Sequence, residues 1–535
     1  MDRRDFIKIS LSLSGLLPGL QSCAPSRPSL NQTGANWNLG HQLRDKHLFP
    51  EPAAVIEKDI VVIGSGVSGL SAARTLFQAG QKNFMVLELE SQIGGNAAAG
   101  NNSTSRFPLG AHYVPLPNTE LTDYLQFLQE AGVILGYNDK GQPIYEETYL
   151  CQAPQERLYI NGVWQEGLVP AYGVPDEDMR QIKAFLQQMG EFRTANEKEE
   201  KYLFGIPIDR SSRDLYQQNL DNMTFKYWLT YKGWNSPYLH WYANYCTKDD
   251  FGTGYDEISA WMGIHYFACR KGKAANAQYS DVLTWPEGNN FLVKKLAAAI
   301  PEQQIHTGCM VIKIQQMDGK VAVDYYNTKD HKAYRILCLQ CVSAIPQFIF
   351  NRLYPDTGRS YTSHYLNYAP WMVATLNVRT SELQDRRGQG MCWDNVLYNS
   401  NSLGYVAATH QQLASFQDNY NLTYYFPMTG RNEQEMRRIA LDRTKEEWAD
   451  MILTDLKTVH PNIAACTNSI AIQVWGHAMC KPVPGMVFDS IRNTLAQSIE
   501  DNIHFAHTDL AGSSIFEEGF YQGLKAAAKV LKQFT

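Results

Sequence analysis

The length and composition of the chain limit the classes of protein to which it can belong. Its 535 residues exceed the ~100–200 residues of one ordinary domain, so two domains are expected. The chain is 44% hydrophobic and 19% charged, which is typical of a globular protein and excludes a disordered or fibrous one. The formal net charge of −6 offers no general attraction to nucleic acid, so a nucleic-acid partner is not expected.

The first 23 residues have the pattern of an export signal. Arg3 and Arg4 precede a mildly apolar run over residues 9–20, which resembles a twin-arginine signal. The run is shorter than the ~20 apolar residues that span a bilayer, so membrane attachment is predicted only through a lipid. Residues 20–23 resemble a bacterial lipobox, in which Cys23 would be acylated. The alternative is a plain export signal with a chance cysteine. A periplasmic or cell-envelope location is predicted either way.

The nine cysteines after Cys23 favour free thiols. Their number is odd, and none has the neighbours of a metal site, so no metal is predicted. Cys338 and Cys341 form a C-x-x-C pair, but the apolar residues 336–345 around them predict a buried strand. Free thiols and a preloaded cofactor both suit the twin-arginine route, which exports proteins already folded in the reducing cytosol. Residues 24–56 lack a hydrophobic period and predict a tether.

Residues 59–78 have the pattern of a dinucleotide-binding unit, with a β-branched strand, a G-x-G-x-x-G turn and a helix. Gly64 permits the tight turn, Gly66 lets the backbone approach a pyrophosphate, and Gly69 allows the helix to pack closely on the strand. The helix N-terminus would face the phosphate charge. Glu88 ends the next predicted strand about 20 residues later, where a carboxylate accepts hydrogen bonds from ribose hydroxyls.

The segment that follows Glu88 indicates that the cofactor is FAD and not a nicotinamide dinucleotide. Gly94 and Gly95 come next, and the run 86–96 resembles the flavin-binding signature of the amine oxidase superfamily. That superfamily includes monoamine and polyamine oxidases, protoporphyrinogen oxidase and carotenoid desaturases. Residues 108–112 resemble the family segment beside the isoalloxazine. The resemblance implies non-covalently bound FAD, with both glycines among the residues that bind it.

Two later stretches extend the resemblance along the chain. Residues 285–323 look like the family's return to the FAD domain, which implies that Val311 meets the adenine side. Residues 503–512, with a closing helix over 523–531, resemble the last flavin motif. There Asp509 would bind the pyrophosphate or the ribityl region.

These motifs predict an α/β protein with a doubly wound, Rossmann-like FAD domain and an interleaved α+β substrate domain. The FAD domain is expected from residues 57–115, 285–345 and 485–535, and the substrate domain from 116–284 and 346–484. The substrate pocket is expected where the two domains meet. No second strand, glycine-turn and helix unit is found, so a stable nicotinamide site is not expected.

Two side chains are catalytic candidates by the resemblance. Its motif places His112 beside the flavin, where an imidazole would accept a substrate proton, polarise the reacting group or orient it; alternatively, His112 only packs and hydrogen-bonds. Lys481 lies in a segment that corresponds to the part of the family fold that approaches the flavin. The resemblance implies that Lys481 reaches the site; alternatively, it is a solvated lysine. A minority of the aromatic residues in the middle of the chain are expected to line the pocket: Trp241, Tyr242, Tyr245, Tyr255, Trp261, Tyr266, Phe267, Trp285, Trp371, Trp393, Tyr398, Tyr424, Tyr425 and Phe426.

The expected reaction is oxidation of a small organic molecule by hydride transfer to FAD, completed by oxygen or another electron acceptor. An amine is the leading substrate because amine oxidation dominates the resembling group. Residues 515–519 depart from the family's aromatic cage for an amine, which leaves open a desaturase-like or protoporphyrinogen-oxidase-like oxidation of a larger apolar substrate. A non-enzymatic flavin-binding lipoprotein is a third reading, but a bare electron carrier needs no large second domain.

Overall fold

The computed structural model describes residues 28–195, 201–359, 365–412 and 418–534. The predicted signal and its lipobox cysteine, residues 1–23, lie outside the described residues. Within the described ranges, no helix is long and apolar enough to cross a membrane.

The strands are, in chain order, β1 (Ser29–Gly34), β2 (Pro52–Ile63), β3 (Phe84–Glu88), β4 (Ala99–Asn101), β5 (Arg106–Pro108), β6 (Tyr113–Pro115), β7 (Ile134–Tyr137), β8 (Pro143–Tyr145), β9 (Glu156–Ile160), β10 (Val163–Glu166), β11 (Val282–Thr284), β12 (Ile305–Thr307), β13 (Cys309–Met317), β14 (Lys320–Asn327), β15 (Lys332–Ser343), β16 (Tyr368–Arg379), β17 (Asp394–Leu397), β18 (Tyr405–Ala407), β19 (Asn419–Pro427), β20 (Thr467–Cys480) and β21 (Ile503–Phe505).

The α-helices are α1 (Trp37–Arg44), α2 (Val67–Gln78), α3 (Thr122–Glu130), α4 (Asp176–Thr194), α5 (Leu215–Asp221), α6 (Phe225–Tyr231), α7 (Pro237–Phe251), α8 (Ala260–Ala268), α9 (Asn290–Ala298), α10 (Gln347–Leu353), α11 (Glu433–Asp442), α12 (Lys445–Leu456), α13 (Ile463–Cys466), α14 (Ser490–Ala496) and α15 (Phe516–Leu531).

The first sheet has a parallel centre and an antiparallel extension. Its order is β12-β3-β2-β15-β14-β13, and β21 also pairs with β15. The β-branched end of β2, residues 60–63, is buried, as expected for a central parallel strand. Helix α15 packs along α2. The two helices meet at Gly523, where an added Cβ would lie 2.3 Å from the Ser68 carbonyl oxygen. This is the Rossmann-like arrangement, so the predicted α/β class is confirmed.

The second sheet belongs to the substrate domain and has the order β1-β20-β16-β19-β18-β17-β9-β10. It is mostly antiparallel, and the helices α4 to α8 form a separate helical layer whose members contact one another. Apart from β1, all of its strands lie in the ranges expected for the substrate domain. The chain therefore passes back and forth between two units, each of which is assembled from distant segments.

The described part of the predicted tether has regular structure. Strand β1 pairs in parallel with β20, from Ser29 opposite Ser469 to Gly34 opposite Val474. Helix α1 follows, and β2 begins at Pro52, five residues before the expected domain boundary. The tether prediction for residues 24–56 is wrong over this part. Its elements are too short to show a hydrophobic period, and pairing with a distant sheet edge holds the strand.

The cysteines confirm the expectation of free thiols. All nine described cysteines are free and buried. Burial raises the pKa of the Cys338 thiol to about 12, and it raises the pKa of Cys341 well above its usual range. Among the described residues, no group of three or more histidine, cysteine, aspartate or glutamate side chains is arranged to hold a metal ion.

Candidate active site

The first glycine loop opens a space at the N-terminus of α2. Gly64 turns the chain after β2 with a φ of +96°, a conformation that favours glycine. A Cβ added at Gly69 would lie 1.9 Å from the Gly64 carbonyl oxygen, so only glycine lets the helix begin this close to the turn. A Cβ added at Gly66 would meet no atom within 4 Å. The open space therefore lies where the helix N–H groups attract a phosphate.

The second glycine loop lies against the first. The N–H of Gly94 donates to the Ser65 carbonyl oxygen over 3.0 Å. A Cβ added at Gly95 would lie 3.5 Å from the Cα of Gly66. The two glycine loops are separated in the chain by α2 and β3. They lie side by side in the fold and border the same space.

Glu88 ends β3 at one side of this space and is 8% exposed. Its Oε2 accepts hydrogen bonds from the N–H and the hydroxyl of Ser65, at 2.8 and 2.6 Å. Its Oε1 accepts only the N–H of Glu90, at 2.9 Å. A lone pair of Oε1 is therefore left for a ribose hydroxyl. The open space, the helix N-terminus and this carboxylate fit the pyrophosphate and ribose of FAD.

Val311 lies in β13 and is 6% exposed. It belongs to a buried apolar cluster with Val61 and Leu87, which come from the strands that carry the glycine turn and Glu88. The structure thus places Val311 beside the dinucleotide-binding strands. Its contact with the adenine remains a prediction.

Asp509 lies in the loop after β21. Its carboxylate is fully buried and accepts hydrogen bonds from the Gln347 N–H at 2.9 Å and the Tyr368 hydroxyl at 2.7 Å. Burial alone would raise the pKa of Asp509, but the charge of His507 and these hydrogen bonds outweigh it and lower the pKa. These neighbours hold the carboxylate in the loop, and its contact with the pyrophosphate or the ribityl region remains a prediction.

His112 stands in a group of aromatic rings. Its ring centroid lies 4.6 Å from that of Tyr425, 4.9 Å from that of Tyr113 and 5.5 Å from that of Trp393. Burial lowers the pKa of His112 to about 3, so the imidazole is neutral at physiological pH. Of the predicted aromatic lining, Trp393 and Tyr425 are therefore brought to His112, and the sequence analysis missed Tyr113.

Hydrogen bonds fix the segment that carries His112 to the substrate domain. The indole N–H of Trp475 donates to the Leu109 carbonyl oxygen over 2.7 Å, and the Tyr425 hydroxyl donates to the Gly110 carbonyl oxygen over 3.0 Å. The Asn96 amide donates to the Ala478 carbonyl oxygen. The end of β20 thus lies against both the second glycine loop and the His112 segment.

Three carboxylates that the sequence analysis missed lie next to this aromatic group. The Tyr113 hydroxyl donates to Asp249 over 3.3 Å. Asp394 follows Trp393 in the chain. It lies opposite Glu156 in the register of the neighbouring strands β17 and β9. The sequence signal was weak: Asp249 lies in the last turn of the aromatic helix α7, where an acidic residue is disfavoured by the helix dipole.

The surroundings of these carboxylates raise their pKa values. Burial, with the charge of Asp250 second, raises the pKa of Asp249 to about 7. Burial, with the charges of Glu156 and Asp249, raises the pKa of Asp394 well above its usual range, and burial also raises the pKa of Glu156. Asp249 and Asp394 are half-buried, whereas Glu156 is exposed at the start of β9. All three therefore keep surface that a ligand can reach.

Lys481 is held by two carboxylates. Its side chain is 5% exposed, and its ammonium group forms ion pairs with Glu257 and Glu433. These partners come from the segment before α8 and from α11, so the lysine joins distant parts of the substrate domain. It is therefore not solvated, and its catalytic role remains a prediction.

A dinucleotide cleft and, next to it, a group of aromatic rings and carboxylates are typical of an FAD-dependent oxidoreductase, and the protein is of this class. A family model described as flavin-containing amine oxidoreductase matches residues 67–531. The chain belongs to this family.

The curated relatives match over short segments. Putrescine oxidase of Kocuria rosea is 36% identical over 105 residues, which are 20% of this chain and 18% of the relative. Polyamine oxidase 1 of Zea mays is 37% identical over 62 residues, which are 12% of each chain. The matched segments therefore span less than a fifth of these relatives.

Solved structures resemble the whole fold. A putrescine oxidase bound to putrescine has a TM-score of 0.65 at 14% identity and covers 89% of this chain and 100% of its own. Cyclohexylamine oxidase of Brevibacterium oxydans has a TM-score of 0.63 at 16% identity, covering 89% of this chain and 99% of its own. At these identities the likeness establishes the shared fold.

Proposed function

We propose that the protein oxidises an amine, with bound FAD as the hydride acceptor. The observation that carries this proposal is the set of carboxylates Asp249, Asp394 and Glu156 around the aromatic group at His112. Carboxylates attract a substrate ammonium group, and aromatic faces attract it by cation–π interaction. The relatives named for putrescine, polyamine and cyclohexylamine support the same substrate class.

Asp249 is the group best suited to take a proton from the substrate. An amine transfers hydride only after it has lost its ammonium proton, and a base with a pKa near the working pH is the most effective acceptor. Burial brings the pKa of Asp249 to about 7, whereas that of His112 is about 3. In this proposal Tyr113 orients Asp249 through its hydrogen bond, and His112 orients the substrate as a neutral group.

A large apolar substrate is the alternative, and the carboxylates argue against it. Burying a carboxylate against hydrocarbon without a charged partner is costly. Burial raises the pKa of Asp394, so a substrate cation would stabilise its charged form, which a hydrocarbon cannot do.

Anaerobic titration of the purified flavoprotein tests the proposed function. Putrescine, spermidine and cyclohexylamine are added in turn, and bleaching of the flavin absorbance is followed. At least one amine should reduce the flavin, whereas the matched alcohols 1,4-butanediol and cyclohexanol should not. Reduction by a fatty acid or a porphyrinogen, with no response to any amine, would contradict the proposal.

We also propose that the protein is exported by the twin-arginine route, is held in the cell envelope through Cys23 and passes its electrons to oxygen or another acceptor. The motifs at Arg3, Arg4 and Cys23 support the route, and the free buried thiols are compatible with folding before export. Cys23→Ser should move the exported protein from the membrane fraction to the soluble fraction. Replacing both arginines by lysine should leave it in the cytosol. Wild-type protein found in the cytosol with Met1 intact would contradict both parts.

A further inference from the structure

The first described segment crosses from one domain to the other within a few residues. Gly34 is paired with Val474 at the edge of the substrate-domain sheet. The N–H of Asn36, two residues later, donates to Glu90 Oε1 over 2.5 Å, just beyond the end of β3 in the FAD domain. Two residues span at most ~7 Å, so the chain bridges the domains where they are close. We call residues 29–44 the strap.

The strap is attached on both sides. In β1, Leu30 packs against the buried cluster of the substrate domain that contains Trp448, and its carbonyl oxygen accepts a hydrogen bond from Lys445 at 3.4 Å. At the other end, α1 contacts β13. Leu43 packs against the apolar cluster of the FAD domain that contains Val311.

The crossing lies beside the residues that form the FAD cleft. Glu90 donates its N–H to Glu88, the carboxylate placed to bind a ribose. On the other side, Val474 precedes Trp475, which donates to Leu109 in the segment that carries His112. The strap therefore connects the ribose end of the cleft to the wall on the substrate side.

Helix α1 also adds to a concentration of basic side chains at this place. The ring of His477 stacks on Phe348 at 4.4 Å, and the guanidinium group of Arg352 lies 5.8 Å from the same ring. Burial, and then the charge of Arg437, lower the pKa of His477 to about 3. Arg352 and His41 of α1 act in the same direction, so α1 lies within electrostatic range of His477. The neighbouring Ala478 accepts a hydrogen bond from Asn96 in the second glycine loop, so α1 also lies near that loop.

We propose that the strap is the outer wall of the FAD site and that retention of FAD depends on its attachment to both domains. The cleft belongs to the FAD domain, the substrate domain lies against it through Trp475 and Ala478, and the strap limits how far the two separate. FAD would leave when the strap detaches. This inference goes beyond amine oxidation. It requires only that the cleft binds FAD.

A single backbone hydrogen bond provides the first test. Asn36→Pro removes the N–H that bonds Glu90, and the φ of −71° at Asn36 is one that proline adopts. Asn36→Ala keeps the N–H and is the matched control. The holoprotein is diluted, and FAD release is followed by the rise in flavin fluorescence. Loss of a hydrogen bond to a charged acceptor should make release about tenfold faster in Asn36→Pro, with Asn36→Ala at the wild-type rate.

Detaching the other end gives an independent test that does not depend on proline. Leu30→Asp places a charge in the apolar cluster under β1 and should also speed FAD release. Trypsin treatment should cut at Arg44 or Lys46 faster in this variant, and faster in FAD-free wild type than in the holoprotein. Circular dichroism checks that each variant is folded.

The outcomes separate this inference from the proposed function. If the wild-type holoprotein is cut after Arg44 or Lys46, which separates the strap from β2, and still keeps its FAD at the uncut rate, the strap proposal is overturned. The same holds if Asn36→Pro and Leu30→Asp both release FAD at the wild-type rate. A wild type that holds FAD but is not reduced by any amine contradicts the proposed function and leaves the strap proposal standing.

Discussion

The hydroxyl of Tyr113 donates a hydrogen bond to Asp249 over 3.3 Å, and Tyr113 directly follows His112 in the chain. This contact joins the His112 segment of the FAD domain to a carboxylate on α7 of the substrate domain. Burial raises the pKa of Asp249 to about 7 and that of Tyr113 well above its usual range, so Asp249 is the one of the two that titrates near neutral pH.

Asp249→Asn should remove a pH dependence from flavin reduction. Since burial raises the pKa of Asp249 to about 7, the rate of reduction by an amine should rise between pH 6 and 8 as the carboxylate loses its proton. Loss of a general base lowers the rate by ~10²–10⁴-fold, and the remaining rate should lack this inflection. Stopped-flow measurements under anaerobic conditions give the rates. An unchanged inflection in the variant would rule out Asp249 as its source.

The same substitution should change how stability depends on pH. The folded protein binds the Asp249 proton more tightly than the unfolded chain does, since the pKa rises from 3.8 to about 7 on folding. The contribution of this group to stability therefore falls as the pH rises from 4 to 7. The melting temperature of Asp249→Asn should drop less between pH 5 and pH 8 than that of the wild type. An equal drop in both proteins would contradict the raised pKa.

His112→Asn should leave the pH profile unchanged. The pKa of His112 is lowered to about 3, so the ring is already neutral between pH 6 and 9 and contributes no titration there. Flavin reduction should slow by less than ~10²-fold, because only positioning of the substrate is lost. FAD content, measured by absorbance, should remain complete. If the inflection near pH 7 disappears in this variant and not in Asp249→Asn, the two roles are reversed.

Gly66→Val should give a folded protein without flavin. A Cβ at Gly66 meets no protein atom within 4 Å, and its φ of −69° suits any residue. The added side chain therefore occupies only the space intended for the pyrophosphate. The variant should melt like the FAD-free wild type and purify colourless. Gly190→Val, also at a glycine with no atom within 4 Å but in α4, is the control and should keep its FAD. A yellow Gly66→Val protein would place the cofactor elsewhere.

Lys481→Met should affect stability and not chemistry. The substitution leaves Glu257 and Glu433 without their cation, but these side chains are 41% and 22% exposed, so water offsets part of the loss. Thermal unfolding should show a destabilisation of ~1–3 kcal/mol. Lys320→Met, which breaks the exposed pair with Glu57, should change stability little. Stopped-flow reduction of the flavin should proceed as in the wild type, and a large loss of rate would restore Lys481 as a catalytic candidate.

The sequence by itself determined the FAD-binding half of the fold. A β-branched strand, Gly64, Gly66 and Gly69, and an acidic residue at the end of the next strand form a local pattern, because turn geometry and helix packing act over a few residues. The family resemblance added His112 and the second loop at Gly94 and Gly95. These features depend on short stretches of backbone, and such stretches can be predicted from local sequence patterns.

Only the tertiary structure decided what surrounds the reacting groups. Asp249 and Asp394 are separated by more than a hundred residues, and both pKa values are raised by burial and by the charges of other carboxylates. Asp509 and Lys481 have partners, Tyr368 and Glu257, that come from distant segments. The strap likewise follows from pairing with a distant sheet edge. Contacts between segments far apart in the chain leave no local pattern, and these contacts determine which carboxylate is paired and which remains available to a substrate.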